Sequence, residues 1–383
     1  MMTLHLLCAT AIALPTSAGF LDGMPASALI DGDHVSIVPR SKLATKFAPM
    51  EAAWGVFNDS YATIGWSKFE VHSNPALPDA IGARAAGVLE GKLTAHRILE
   101  AAINNGVGPG MTPDKNLARF FKIHEQWASG MANVANESSA TEAAYWHHMG
   151  LVDAQLAGLH EGYEQAARDS HGALPSLPFE SILYLNLGEE RADFADFRPG
   201  VGIVRPLPTF GALEAFEAAG KCSALVRLTK DDVMIAQETW SSLSSMLRVY
   251  KMYDLPFTMR GDDSHAGGRV PAARVSFSSY PAVLNSGDDF YVTSAGLVVQ
   301  ETTIGNSNPE LTRAFVSPLT VPEWKRNILA NRLASSGFEW SGLYSRYNSG
   351  TCKPSLVRVN HRMTRWPTLG GQPFSRRLAS SAL

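Results

Sequence analysis

The sequence predicts a layered α+β fold, and three observations predict it. Short runs with strand periodicity follow one another after Cys222. A long stretch of helical periodicity lies before it. The 383 residues, 45% hydrophobic and 18% charged, have ordinary globular composition and enough length for a sizeable core. As a prior, this length suggests two domains or one large one. The formal net charge of −3 supplies no basic field, so no nucleic-acid partner is expected.

The chain opens on an apolar run, Leu4 to Leu14, leading into Pro15, Thr16, Ser17 and Ala18. The small residues suit signal peptidase, which gives a signal peptide over 1–18 and cleavage before Gly19. The leader has no Lys or Arg, and its alternative is a buried N-terminal strand or helix. The run is too short to span a bilayer, and no later segment is long and apolar enough. The expectation is therefore a protein of the secretory route, secreted or lysosomal, without a transmembrane segment. The glycosylation triplets Asn58-Asp59-Ser60 and Asn136-Glu137-Ser138 fit that route.

Trp54, Phe57, Tyr61 and Trp66 cluster around Asn58-Asp59 and Gly65, which predicts strands or a compact hairpin. Ala85 to Ile103 reads as one helix. Gly87 and Gly91 share a face of it and allow another element to approach closely. Gly106 to Gly110 ends it; Pro109 and the lack of a preceding strand argue against a nucleotide loop. From Thr141 to Tyr163 the residues Met149, Val152, Leu156, Leu159 and Tyr163 recur at helical spacing. His147 and His148 are adjacent, so they cannot chelate as i, i+4 histidines do; they read as surface or packing residues.

Prolines 175, 178, 199, 206 and 208 mark residues 169–210 as loop and boundary. Gly211 to Gly220 reads as a short helix. Cys222 to Leu228 and Asp232 to Ala236 follow as strands, then Leu243, Met246, Leu247 and Tyr250 as one helical face. Asp262, Asp263 and His265 sit in a loop that reads as a solvated turn rather than a metal site. Arg274 to Tyr280, Phe290 to Ser294 and Leu297 to Thr303 predict three strands, and Pro322 to Ser335 a helix with proline in its first turn. The end of the chain carries Lys353, Arg358, Arg362, Arg365, Arg376 and Arg377, no acid and no clear periodicity. It reads as an atypical basic tail over 353–383, unstructured or unrelated to what precedes it.

The cysteines are Cys8, Cys222 and Cys352. Loss of the leader leaves two, either bridged to each other or with Cys222 as a core thiol or a nucleophile. No G-x-S-x-G elbow, H-E-x-x-H, Walker loop or paired C-x-x-C is present, which disfavours an ordinary α/β-hydrolase lipase.

The segments around Cys222 resemble the phospholipase B-like family. The matching strings include Lys221-Cys222-Ser223-Ala224-Leu225, Thr239-Trp240, Ser245-Met246-Leu247-Arg248-Val249-Tyr250-Lys251 and Phe277-Ser278-Ser279-Tyr280-Pro281. They continue through Ser286-Gly287-Asp288-Asp289-Phe290-Tyr291, Glu301-Thr302-Thr303-Ile304-Gly305-Asn306, Ala330-Asn331-Arg332-Leu333-Ala334-Ser335 and Tyr347-Asn348-Ser349-Gly350-Thr351. In order and spacing the likeness covers roughly 45–351. It implies an N-terminal-nucleophile hydrolase, an αββα sandwich with an additional mixed or helical N-terminal region.

The resemblance further implies self-cleavage between Lys221 and Cys222. Cys222 then carries both the nucleophilic thiol and an α-amine as base. The division is 19–221 as a light-chain-like region and 222–352 as the hydrolase core. Thr303 matches a position lining the family's active site, its alternative being strand packing; Trp240 shapes the pocket wall or is core. The implied reaction is hydrolysis of acyl ester or amide bonds of a lipid or N-acyl substrate, with no metal or organic cofactor. Gln237 stands where the family commonly has His, and it cannot titrate. Family chains also continue past Thr351, so the sandwich is expected to be incomplete. The rival reading is a non-catalytic or truncated secreted glycoprotein, with lipid binding or no activity.

Overall fold

The computed structural model describes residues 22–43, 50–135, 138–188, 190–198, 202–203, 222–230, 232–260, 268–303, 315–351 and 354–360. Strands β1 (Ala26–Asp31) and β2 (His34–Pro39) form a hairpin turned at Gly32, whose φ of 58° favours glycine. β3 (Glu51–Asn58), the single turn α1 (Tyr61–Ile64) and β4 (Ser67–Ser73) follow. β4 has the period-two burial of a half-covered strand, with Ser67, Phe69, Val71 and Ser73 inward.

The helices come next: α2 (Asp79–Leu93), α3 (Ala95–Asn104), α4 (Lys115–Ala135), α5 (Ala140–Asp169), α6 (Phe179–Leu187) and α7 (Glu190–Ala195). The helix expected from Ala85 to Ile103 is two helices. The backbone leaves helical geometry at Thr94 (φ −107°, ψ 11°), whose side-chain hydroxyl donates to the Glu90 carbonyl at 2.7 Å alongside its own N–H. α5 begins where the Ser139 hydroxyl accepts the Glu142 N–H at 3.2 Å. α6 and α7 correct the loop reading of residues 169–210. Pro178 stands at the N-cap of α6, where proline starts a helix, and Gly188 with φ 52° ends it. The short helix expected over Gly211 to Gly220 lies outside the described residues.

Two short strands, β5 (Phe197–Arg198) and β6 (Gly202–Ile203), pair with each other. β7 (Cys222–Leu228) and β8 (Val233–Thr239) form an antiparallel hairpin. The helical face expected at Leu243 to Tyr250 is instead a 3₁₀ turn, Leu243–Ser245, followed by β9 (Val249–Asp254). Lys251 is buried in β9, so a polar residue occupies an inward strand position and hides the alternation. β10 (Arg274–Ser279), β11 (Phe290–Thr293), β12 (Leu297–Thr303) and α8 (Glu323–Leu333) follow the sequence expectation closely, and α9 (Gly337–Tyr344), which the sequence reading did not anticipate, comes after them. Pro322 is the N-cap of α8. Pro354–Asn360 of the basic tail forms β13, which corrects the reading of that stretch as unstructured.

The large sheet has the order β13-β12-β11-β10-β9-β4-β3-β1-β2. Its neighbours are antiparallel except β4 and β9, which run parallel. The fold is thus mixed α+β, and one sheet takes strands from both sides of residue 221. Against it lie α2 and α5, whose axes approach closely. A Cβ built on Gly87 would sit 2.1 Å from the Gln155 carbonyl oxygen, and one on Gly91 2.0 Å from that of Leu159. Gly158 and Gly162 answer from α5, 2.2 Å and 2.1 Å from the Arg84 and Val88 oxygens. Only glycine fits there. His148 is fully buried on α5 and donates to the Thr258 carbonyl at 3.0 Å, while His147 faces Asp79 at 3.1 Å.

Candidate active site

Cys222 is the first residue of β7 and the shielded one: Ser223 to Leu228 are exposed, whereas Cys222 is half-buried. Its cross-strand partner is Thr239. Two side-chain bonds from β8 moor this hairpin to the large sheet. The Thr239 hydroxyl donates to the Asp288 carbonyl at 3.0 Å, and Gln237 Nε2 donates to the Glu301 carbonyl at 2.6 Å. A cavity of about 710 Å³ opens beside them, and Cys222, Thr239, Trp240, Tyr280, Asn285, Asp289, Glu301 and Glu323 contribute to its wall.

The turn between β10 and β11 builds one side of this wall. Tyr280 donates its hydroxyl to Asp288, and Arg248 pairs with the same carboxylate at 2.6 Å. Gly287 lies over the Tyr280 ring, where a Cβ would be 2.6 Å from a ring carbon. Asp289 has φ 56°, a left-handed conformation that Asp tolerates better than most residues. The Glu301 N–H donates to the Asp289 carbonyl at 3.1 Å.

The cavity floor is rich in carboxyl groups. Burial pushes Asp289 well above the usual carboxylate range, helped by a hydrogen bond to Glu301 and by the charges of Glu301, Glu323 and Cys222. Glu323 is pushed up to about 8, first by burial and then by the Glu190 charge. Glu190 is also raised by burial, against the pull of its donors and of Arg326. It accepts the Glu323 and Trp324 N–H groups at 2.8 and 3.3 Å and so caps α8. These four acids were not singled out from the sequence. Asp289 and Glu301 lie within family-like strings, and a Glu inside the apolar run Leu297-Val298-Val299-Gln300-Glu301 is the signal that was there to be read.

Of the residues expected at the site, Cys222 and Trp240 line the cavity, Trp240 at 58% exposure on its rim. Gln237 is not among the lining residues; it is spent on the Glu301 carbonyl. Thr303 is the last residue of β12, two positions beyond Glu301 and opposite Pro354. Asn58 is exposed at the end of β3. Lys221, Asn136, Cys352 and the loop holding Asp262, Asp263 and His265 lie outside the described residues. Among the described residues no three His, Cys, Asp or Glu side chains are grouped as a metal site. No helix among them is long and apolar enough to cross a membrane.

The sequence profile of the family described as Phospholipase B matches residues 53–362. A phospholipase B-like 2 protein of Bos taurus is 33% identical over 343 residues, 87% of this chain and 53% of that protein. Phospholipase B-like 1 of Homo sapiens is 31% identical over 329 residues, 81% of this chain and 55% of that protein. Phospholipase B-like protein B of Dictyostelium discoideum is 31% identical over 313 residues, 80% and 51% of the two chains. The chain spans about half the length of the curated relatives it matches. The matched span encloses Cys222, the moored hairpin and the whole carboxyl-lined wall, and on that ground the chain belongs to the phospholipase B-like family.

Proposed function

We propose that this chain is a hydrolase that cuts acyl ester or amide bonds of lipids after cutting its own Lys221–Cys222 bond. The observation that carries the reading is the position of Cys222, the shielded first residue of a strand, on the wall of a 710 Å³ cavity. In the self-cutting step the Cys222 thiol attacks the Lys221 carbonyl, the Lys221–Cys222 C–N bond breaks as the thiol proton passes to nitrogen, and the peptide becomes a thioester with a free α-amine on Cys222. Water opens the thioester, giving a carboxylate at Lys221 and restoring the Cys222 thiol. A model α-amine has a pKa of about 7.7–8.0, close enough to working pH to take the thiol proton. Nucleophile and base then reside on one residue. The thiolate attacks the acyl carbonyl, the alcohol or amine leaves, and water releases the acid.

In this reading residues 19–221 form the light chain, 222–352 the core of an αββα sandwich, and 353–383 the tail. Trp240 forms the rim over which an acyl group slides, and Gln237 fixes the hairpin. The Thr303 hydroxyl steadies the developing oxyanion. A leader over 1–18 and glycans on Asn58 and Asn136 accompany export to the lysosome or cell exterior. Intact-mass analysis and N-terminal sequencing at acidic and at neutral pH test the proposal. The expected result is a new terminus at Cys222 that is absent from Cys222→Ala. A single uncut chain at both pH values overturns it in favour of a non-catalytic relative.

A further inference from the structure

The hairpin that carries Cys222 is tied to the Asp288–Asp289 peptide by the cross-strand partner of Cys222 itself, Thr239. Asp289 lies in the same cavity, with its carboxyl hydrogen-bonded to that of Glu301 and its own backbone carbonyl bonded to the Glu301 N–H. Its left-handed backbone turns it at the start of β11. We infer that Asp289 is the positioning residue for Cys222, holding its thiol protonated in the uncut chain and accepting the α-ammonium that the cut creates. The second half rests on the proposed self-cleavage; the first does not.

The chemistry follows from the groups that face Asp289. From β7 comes Cys222, from β12 Glu301, from α8 Glu323, and from β10–β11 Tyr280 and Tyr291. Glu190 and Arg326 stand behind Glu323, and Arg248 is engaged by Asp288. A thiolate formed beside this set meets like charge, so the thiol stays neutral. Carboxyl groups line the cavity together with Cys222, and an ammonium brings N–H donors and positive charge to them. When the amine takes the thiol proton, the S–H bond breaks and an N–H bond forms. The carboxylate of Asp289 stabilises the cation that results.

The test is the pH dependence of Cys222 alkylation by iodoacetamide, followed by peptide mass so that Cys352 is scored separately. Asp289→Asn keeps the shape and tolerates the left-handed backbone; Asp289→Gly relieves that backbone altogether. Both remove a carboxyl whose ionisation opposes that of the thiol and favours that of the amine, which lowers the pKa of thiol and amine alike. The profile is expected to move to lower pH by about one unit or more, with Asp289→Glu returning it towards wild type. A merely structural role changes the amplitude and leaves the position unmoved, and an unmoved profile in both folded variants overturns the inference. Intact mass of the same samples separates the two claims. A shifted profile in an uncut chain keeps the Asp289–Cys222 coupling and removes the self-cleavage reading.

Discussion

Lys251 Nζ lies 2.6 Å from Glu90 Oε1, and each side chain is only 1% exposed. Glu90 is on α2 and Lys251 is on β9, on opposite sides of residue 221. The Tyr253 hydroxyl also donates to Glu90, and Lys251 donates to the Val283 carbonyl at 2.6 Å. Burial of an ion pair is costly, but removal of one partner costs more, because the other charge is left in the core. Glu90→Gln or Lys251→Met alone is expected to lose about 3–5 kcal/mol in urea unfolding. The double change Glu90→Leu with Lys251→Met should recover most of that loss.

The same sheet predicts how a cut chain behaves. β4 pairs with β9 over six residues, Ser67 to His72 against Val249 to Asp254. Cleavage before Cys222 severs no hydrogen bond of that ladder. The two pieces are expected to co-elute in gel filtration and to separate only in denaturant.

Stability should fall as pH rises above 6.5. Glu323 has its folded pKa raised to about 8 from 4.5, so the native state holds a proton that the unfolded chain releases between those values. Its contribution is complete below pH 4.5 and is lost as pH rises through 8. Over that window the loss is roughly 2–4 kcal/mol. The buried His124 and His148 have lowered pKa values and act in the opposite direction up to pH 6.5, so it is from pH 6.5 to 8 that melting temperatures should decline, and Glu323→Gln should flatten the decline.

The α2–α5 crossing gives a sharp contrast among glycines. Gly87→Ala and Gly158→Ala place a methyl within 2.1–2.2 Å of a carbonyl oxygen on the facing helix, and the two backbones must part. Each is expected to cost more than about 3 kcal/mol. Gly130→Ala, inside α4 with nothing within 4 Å, should instead stabilise by about 0.5–1 kcal/mol.

Trp240 should separate binding from stability. At 58% exposure it contributes little to the core, yet it lines the cavity. Trp240→Ala is expected to leave the melting temperature within a few degrees. In a hydrolysis assay with a long-chain acyl substrate it should raise KM more than it lowers kcat.

The sequence by itself determined the elements whose periodicity is local. β11 alternates as a half-covered strand does, β12 opens on the apolar run Leu297-Val298-Val299, and α5 repeats at three and four. Gly87 and Gly91, read as a face for close approach, meet α5 in just that way. Cys222 stood out because strings specific to a family surround it. The tertiary structure decided everything that depends on partners distant in the chain. Lys251 is an inward strand residue only because Glu90, 161 positions earlier, neutralises it. The backbone leaves helical geometry at Thr94, a break that composition does not announce. The carboxyls of Glu190, Asp289, Glu301 and Glu323 lie in separate segments of the sequence. Folding brings them to one cavity wall, and burial together with their mutual repulsion changes what each can do. Periodicity is written in neighbouring residues, whereas the electrostatics of a site arise from segments that only the closed fold makes adjacent.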